Sequence, residues 1–500
     1  MFGESQVAEE PKKQVLTNLR MGVSKYDTMN PLISTNKTVQ YVDKLIFEPL
    51  LTLNNDFTLS NCLAKEYSKT GDNTYLIKLR DDVTWHDGMP LVAQDVQFTI
   101  DKLKEGTFAS IYQENVKDIT SLNIIDDHTI KINLSEDDPF FEYNLIFPIM
   151  PYHYYIDDDF VQSAKVPMGT GMYKIKDVQG TYIGIVKNDQ WWNISEKNAK
   201  LDTITLNLYS SMGEVYNAFK IGNIDLIPTT NVNFSQYIGK IGFEVKDYQG
   251  REYDFLAMNL KNTVLAKKEV RQAIASAIDK NNIIATIFNN NYYIANDPLD
   301  YGNGLYSNDV GVIQFNSEAA KKILEDNGWL LQYGTWSKFE NYRTLKTNFS
   351  LIVNASNVHR CAVAESIKNQ LADIGIIVNI RQVSDDQYRA YLENKNYDLI
   401  LAGTNLGTNP DLTRYFGNGN LANYSNDEIS KIMNSIRNIS DSKMIKEYYK
   451  KMQEKYQEEV PYISLYRSRE YLIYSSSLVG DLSPTWYNIF YNIENWYREN

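Results

Sequence analysis

Cysteine and histidine are scarce in this chain of 500 residues, with two Cys (Cys62, Cys361) and four His (His86, His128, His153, His359). Two cysteines so far apart exclude a disulfide framework, and no Cys or His pair has the spacing of a zinc site. Both cysteines are expected to be small buried hydrophobes. Apolar runs are short, and none reaches the length that crosses a bilayer. Basic charge is not in excess: 50 Lys and Arg against 63 Asp and Glu leave a net charge of -13, with both signs interspersed. Phosphate binding needs a concentrated basic surface, so nucleic acid is disfavoured as a partner. The acidic balance is read as a source of solubility. Catalytic templates are missing too: there is no G-x-S-x-G, no H-E-x-x-H and no dinucleotide fingerprint. His86 beside Asp87 lies in a turn, where adjacent side chains point apart. No enzyme activity, resident metal or cofactor is expected.

What the chain does have is length and aromatic rings. Five hundred residues exceed one ordinary core, so two or three domains are expected. A hydrophobic content of 43% with mean hydropathy -0.42 is that of a soluble globular protein. The 37 Tyr and 7 Trp fit either ordinary surface and interface positions or the lining of a roomy amphipathic cleft, and composition leaves both open. Residues 1–13 are polar and acidic, with neither the basic nor the apolar region of an export signal.

The densest set of local instructions is Thr74–Lys104. Tyr75–Arg80 alternates as a half-buried strand, His86-Asp87-Gly88 is a turn, and Asp95 stands where a helix N-cap belongs, before Val96, Phe98, Ile100 and Leu103 on one helical face. A strand, a W-H-D-G-x-P-L turn and an Asp-capped helix in this order resemble the signature segment of the family 5 extracellular solute-binding proteins, the oligopeptide-, dipeptide- and nickel-binding receptors of ABC importers. The likeness extends from about residue 15 to residue 485. Tyr26–Leu32 is similar to the family's turn ending in Asn-Pro, and Val39–Leu51 to its helix ending in Phe-Glu-x-Leu. Pro167–Tyr173 resembles the P-x-G-T-G-P-Y turn, with Met172 in place of Pro. No G-K-[ST] follows that turn and no helix begins there, so it is not a phosphate loop. Asn223–Ile227, Lys268–Asp279 and Asn316–Trp329 match further family segments. Arg271, on a helix with closely spaced Ala, is expected to pair within the fold.

The resemblance implies an α/β, two-lobed periplasmic-binding-protein-like fold (type II, cluster C) with a hinge and an extra inserted domain. Residues 1–13 would be a flexible acidic tether. Residues 14–45, 165–255 and 475–500 would form domain I, 46–164 the inserted domain II, and 260–465 domain III. Crossings are expected near 253–260 and 462–474, with the two cysteines in opposite lobes. Lobes joined this way close on a ligand by rigid-body rotation. The expected function is an extracellular receptor that captures peptides and hands them to the transmembrane subunits of an ABC permease. A monomer is expected, with no partner nucleic acid. Gly3-Glu4-Ser5 resembles the start of a mature Gram-positive lipoprotein just after its acylated cysteine. An N-terminal lipid anchor on the outer face of the membrane is therefore expected, or the periplasm in a Gram-negative cell.

Candidate ligand contacts follow from the same likeness and from topology. They are Tyr26 and Asp27 after the first strand, Thr170 in the glycine loop, and Thr404, Asn405, Asp411, Arg414 and Tyr415 after the strand Tyr397–Gly403. Peptide-binding members place an acid for the peptide's α-ammonium in a G-W-x-x-D loop. Here Thr404 stands at the Trp position and Gly407 at the Asp position, so Asp411 either reaches the ammonium or caps the helix after it. Arg414 has the planar fork that holds a carboxylate. A packing or surface role competes at each position. Within the family, a nickel chelate or a sugar or amino-acid conjugate is the alternative ligand, and a signalling sensor the alternative role.

Overall fold

The computed structural model describes residues 14–238, 242–436 and 442–499; the tether expected over 1–13 lies outside them. Its largest element is an eleven-stranded mixed sheet. From one edge to the other run Ile377–Val383, Asn348–Asn354, Leu399–Asn405, Phe243–Met258, Tyr462–Ser475, Leu226–Thr229, Asn18–Ser24, Thr203–Tyr209, Tyr182–Lys187 and Tyr173–Val178. The short strand Tyr292–Ile294 also pairs with Tyr462–Ser475. The two longest strands, Phe243–Met258 and Tyr462–Ser475, lie side by side and antiparallel, from Phe243 opposite Ser475 to Ala257 opposite Tyr462. All other strands on the path flank this pair. The segments where crossings are expected, 253–260 and 462–474, overlap these two strands, the first of which begins earlier, at Phe243.

Parallel pairings occur on both flanks, and the one between Asn348–Asn354 and Ile377–Val383 is joined through the single helix Val358–Asp373, as a strand–helix–strand crossover requires. Asn18–Ser24 is parallel to Thr203–Tyr209, and Asn348–Asn354 to Ile377–Val383. The helix Lys268–Ala277 buries Val270, Ala273, Ile274 and Ala277. Its Arg271 is buried and donates to the carbonyls of Leu265, Ala266 and Glu459, which confirms a role inside the fold.

A separate four-stranded antiparallel sheet, Ala64–Gly71, Thr74–Leu79, Thr129–Leu134 and Ile119–Asp126, lies within the segment read as an insertion. The helix Ala93–Glu105 follows the WHDG turn, but its N-cap is Val92 and not Asp95. Asp95 lies inside the first turn, buried, where it accepts from the amides of Val92 (2.9 Å) and Tyr152 (2.8 Å) and the Trp85 indole (3.1 Å). It ties helix, turn and a later segment together, a wider task than capping. Cys62 is buried as expected, whereas Cys361 is only half-buried.

The turn between Leu51–Leu53 and Leu59–Asn61 reaches beyond its own sheet. Phe57 stacks on Trp486 (5.0 Å) and meets Tyr301 edge-on (4.9 Å), and the Asp56 carbonyl accepts from the Gly304 amide (2.7 Å).

Candidate functional site

Register locates the crevice. Thr229, at the carboxyl end of its strand, is opposite Tyr471, and Asn405, at the end of its own, is opposite Glu252. Strands from both flanks therefore end facing the middle of the long pair, where ligands of open α/β sheets bind. The long pair is irregular at that point. Gln249 is opposite Arg469 and Tyr253 opposite Arg467, so the first strand carries extra residues between them. Gly250 lies there, so close to Ser468 that a Cβ would overlap its hydroxyl. Arg251 and Leu406 are reciprocally bonded: Arg251 Nε donates to the Leu406 carbonyl and the Leu406 amide to the Arg251 carbonyl, both at 2.9 Å. The Arg251 guanidinium also lies 5.0 Å over the Trp486 ring.

A cavity of about 370 Å³ opens beside Asn405. Its polar wall is an ion pair. Arg360 donates through Nε and Nη2 to the two carboxylate oxygens of Asp254, each at 2.7 Å, and the Tyr466 hydroxyl adds a third bond at 2.9 Å. Burial works against the Arg360 charge, but the hydrogen bond and attraction of Asp254 prevail and raise its pKa. Local sequence places each group. Asn357 caps the helix Val358–Asp373 by accepting from the Arg360 amide (2.9 Å), which fixes Arg360 in the first turn. Gly403 gives the pair its space, because a Cβ would overlap both Arg360 Nη2 and Asp254 Oδ1. The aromatic wall is Phe288, Tyr292 and Tyr466, with ring centroids 4.2 to 5.5 Å apart. His359 and the exposed Glu252 complete the rim. Its size is within the range of small-molecule sites.

Of the positions expected from sequence, Thr404 and Asn405 line this cavity. Arg414 is exposed at its edge and donates to the Thr404 hydroxyl. Tyr26 is on the opposite flank, beyond the end of Asn18–Ser24, and lines a different cavity. Asp27 is consumed by its own turn, accepting from the amides of Thr28, Thr35 and Asn36 and the Ser34 hydroxyl; burial alone would raise its carboxyl, but these bonds hold it below the usual value. Asp411 is taken up by its own turn: it accepts from the Thr413 amide (2.8 Å) and hydroxyl (2.6 Å) just before the short helix Thr413–Phe416, whose N-cap is Leu412. Thr170 and Tyr415 are buried. Thr170 donates to Glu48 (2.8 Å), and Tyr415 packs edge-on against Tyr253, Phe255 and Tyr462.

Sequence reasoning missed Asp254, Arg360 and Tyr466. Two faint signals existed. Asp254 is a lone acid in an otherwise apolar stretch, and Arg360 follows an N-cap Asn by one helical turn.

Comparison with known proteins agrees with this geometry. A family model described as "Bacterial extracellular solute-binding proteins, family 5 Middle" matches residues 58–426. The oligopeptide-binding protein AppA of Bacillus subtilis (strain 168) is 26% identical, over 94% of this chain and 89% of AppA. The peptide transport periplasmic protein SapA of Haemophilus influenzae is also 26% identical, over 96% of this chain and 82% of its own length. The nickel-binding periplasmic protein of Escherichia coli (strain K12) is 23% identical, over 74% of this chain and 71% of that protein. Among solved structures, the unliganded open form of the murein tripeptide-binding protein MppA superposes with TM-score 0.82 at 17% identity, covering 98% of this chain and 99% of that one. AppA from Bacillus subtilis in complex with a nonapeptide gives TM-score 0.57 at 24% identity, covering 98% of this chain and all of that one (100%). The fold is the two-lobed one expected from sequence.

Proposed function

We propose, from the premise that this chain belongs to the family 5 extracellular solute-binding proteins of ABC importers, that the solute it captures is a peptide. The observation that carries this reading is the strand edge Gly403–Asn405 beside the cavity. Leu399–Asn405 pairs along its whole length with Phe243–Met258, but with Asn348–Asn354 only at Leu399 and Ile400. Beyond Ile400 the strand has a sheet partner on one side alone; Leu401 and Ala402 are buried and the Leu401 carbonyl accepts from the Tyr388 hydroxyl (2.7 Å), so the edge open to the cavity is Gly403–Asn405. An extended peptide satisfies its backbone by adding to such an edge, while its side chains enter pockets alternately. The aromatic wall of Phe288, Tyr292 and Tyr466 suits side chains of varied shape. Asp411 is occupied by its own turn, so Glu252 is the carboxylate we assign to the peptide's ammonium. The peptide relatives AppA and SapA support the same class.

Closure follows as the mechanism of capture. The carboxyl ends of the two flanks face each other over the irregular middle of the long strand pair, and rotation there brings Tyr26 and Thr404 toward one solute. The closed form is what an importer's permease receives. Residues 46–164 act as an inserted domain and 260–465 as the second lobe. Native mass spectrometry of the protein as isolated from cells, with a pool of tripeptides to octapeptides offered, tests the reading. Retained mass that resolves into peptides is expected. A nickel chelate as the retained species, or no peptide binding at all, overturns it.

A further inference from the structure

A smaller cavity, of about 60 Å³, lies against the helix Lys37–Ile46 and shares no lining residue with the cavity beside Asn405. Phe47, Ile146 and Pro148 give it apolar walls, and the rest of the lining is polar. Lys44, in the last turn of the helix, is half-buried, and its ammonium lies 3.9 Å from the centre of the Tyr487 ring. It makes no ion pair or hydrogen bond with any described residue. Burial and the nearby Lys37 bring its pKa down to about 7, with Asp43 opposing.

The other polar groups of the lining are unpartnered as well. The hydroxyls of Thr52, Tyr112 and Tyr487 and the amide nitrogen of Asn488 have no hydrogen-bond partner among the described residues, and none of them is sealed off. Burial raises the pKa of both phenols, with Tyr112 adding to the rise at Tyr487, so both stay protonated donors. The one acid of the lining does not oppose an anion. Both Asp43 oxygens are sealed from the cavity without a partner, and burial holds the carboxyl well above its usual range, so it is neutral near pH 7. An ammonium, three hydroxyls and an amide around one space form a set of donors in want of an acceptor. A desolvated ammonium without a counter-charge is costly, and an anion that meets it makes a charge-assisted bond. The volume is about twice the roughly 30 Å³ that a water occupies in the liquid. That space takes an ion of about three or four heavy atoms.

We infer that this cavity is a binding site for a small carboxylate of the formate or acetate class, held by Lys44 and the hydroxyls of Tyr112 and Tyr487. Two carboxylate oxygens meet donors on separate segments of the chain, which a single-atom halide does less well. The site lies outside the cleft and does not rest on the peptide reading.

Calorimetric titration of the full chain at about pH 6, where Lys44 carries its charge, tests the site with sodium formate, sodium acetate and sodium gluconate. Gluconate has the same carboxylate on a body too large to enter. Saturable binding of formate and acetate, and none of gluconate, is expected. Lys44→Met should weaken formate by at least about tenfold, the worth of a charge-assisted hydrogen bond. Tyr487→Phe keeps the ring under Lys44 and should weaken formate by about threefold. Thermal unfolding shows whether each variant folds; should Lys44→Met fail to, Tyr487→Phe and Tyr112→Phe decide. No saturable formate binding, as for a cavity that holds only water, overturns the inference. Binding that none of these substitutions alters, or that gluconate matches, overturns it too. Formate that a peptide displaces lies in the cleft, which would equally contradict the assignment.

Discussion

Gly403 lies so close to Arg360 that a single added methyl group would occupy the space of the guanidinium's Nη2. The same methyl would overlap the Asp254 carboxylate, so one glycine sets the geometry of the cavity's ion pair. Gly403→Ala should therefore force Arg360 and Asp254 apart. Overpacking of this kind costs about 1–3 kcal/mol, to be measured by urea unfolding. Peptide affinity should fall by at least about tenfold, because the wall that shapes the cavity moves.

Arg360→Met removes one half of the pair and leaves Asp254 with only the Tyr466 hydroxyl. The Arg360 and Asp254 side chains are 19% and 12% exposed, so most of a buried-pair penalty applies. The expected loss is about 3 kcal/mol. The double variant Asp254→Asn, Arg360→Met should recover more than half of it, since no charge is then stranded. A double-mutant cycle in urea measures the coupling; additive losses would show that the pair is not a unit.

Those two residues also mark what the sequence withheld. Glycine turns and helix ends were legible because their causes are local. Gly88 and Gly222 take left-handed backbone where the turn and helix end were expected, with φ of 91° and 78°. Asp254 and Arg360 stand 106 positions apart, one on a strand and the other in the first turn of a helix, and only tertiary packing brings them together. Asp27, Thr170 and Tyr415 are engaged within the fold for reasons of a different kind. Polarity and position relative to a motif were visible, but not that Thr28, Ser34, Thr35 and Asn36 would saturate Asp27. Nor was it visible that Glu48 would take the Thr170 hydroxyl, or that Tyr253 and Tyr462 would enclose Tyr415.

Glu48 predicts a pH dependence. Burial pushes its carboxyl up to about 7 from the ordinary 4.5, against the opposing pull of hydrogen bonds from Thr170, Trp191 and Trp192. Between these values the unfolded chain gives up its proton before the folded chain does, so the folded state binds more protons and stability falls as pH rises. The contribution is intact below about pH 4.5 and lost above about pH 7, with a span of about 3 kcal/mol. Glu48→Gln keeps the shape without the ionisation. The wild-type minus variant difference in urea stability should slope downward from pH 5 to 7.5, and a flat difference would contradict the assignment.

Phe57 should matter beyond its own turn, because its ring lies between Tyr301 and Trp486. Phe57→Ala should cost about 3 kcal/mol. Tryptophan fluorescence should shift as Trp486 loses its stacked neighbour. An unchanged emission maximum would show that the stack does not persist in solution.

The account depends above all on two flanks that rotate about the long strand pair when a solute enters between them. Small-angle scattering of the protein, recorded with and without peptides at saturation as shown by native mass spectrometry, reads that motion directly. A smaller radius of gyration in the loaded sample is predicted. Superimposable curves with peptide demonstrably bound would contradict it.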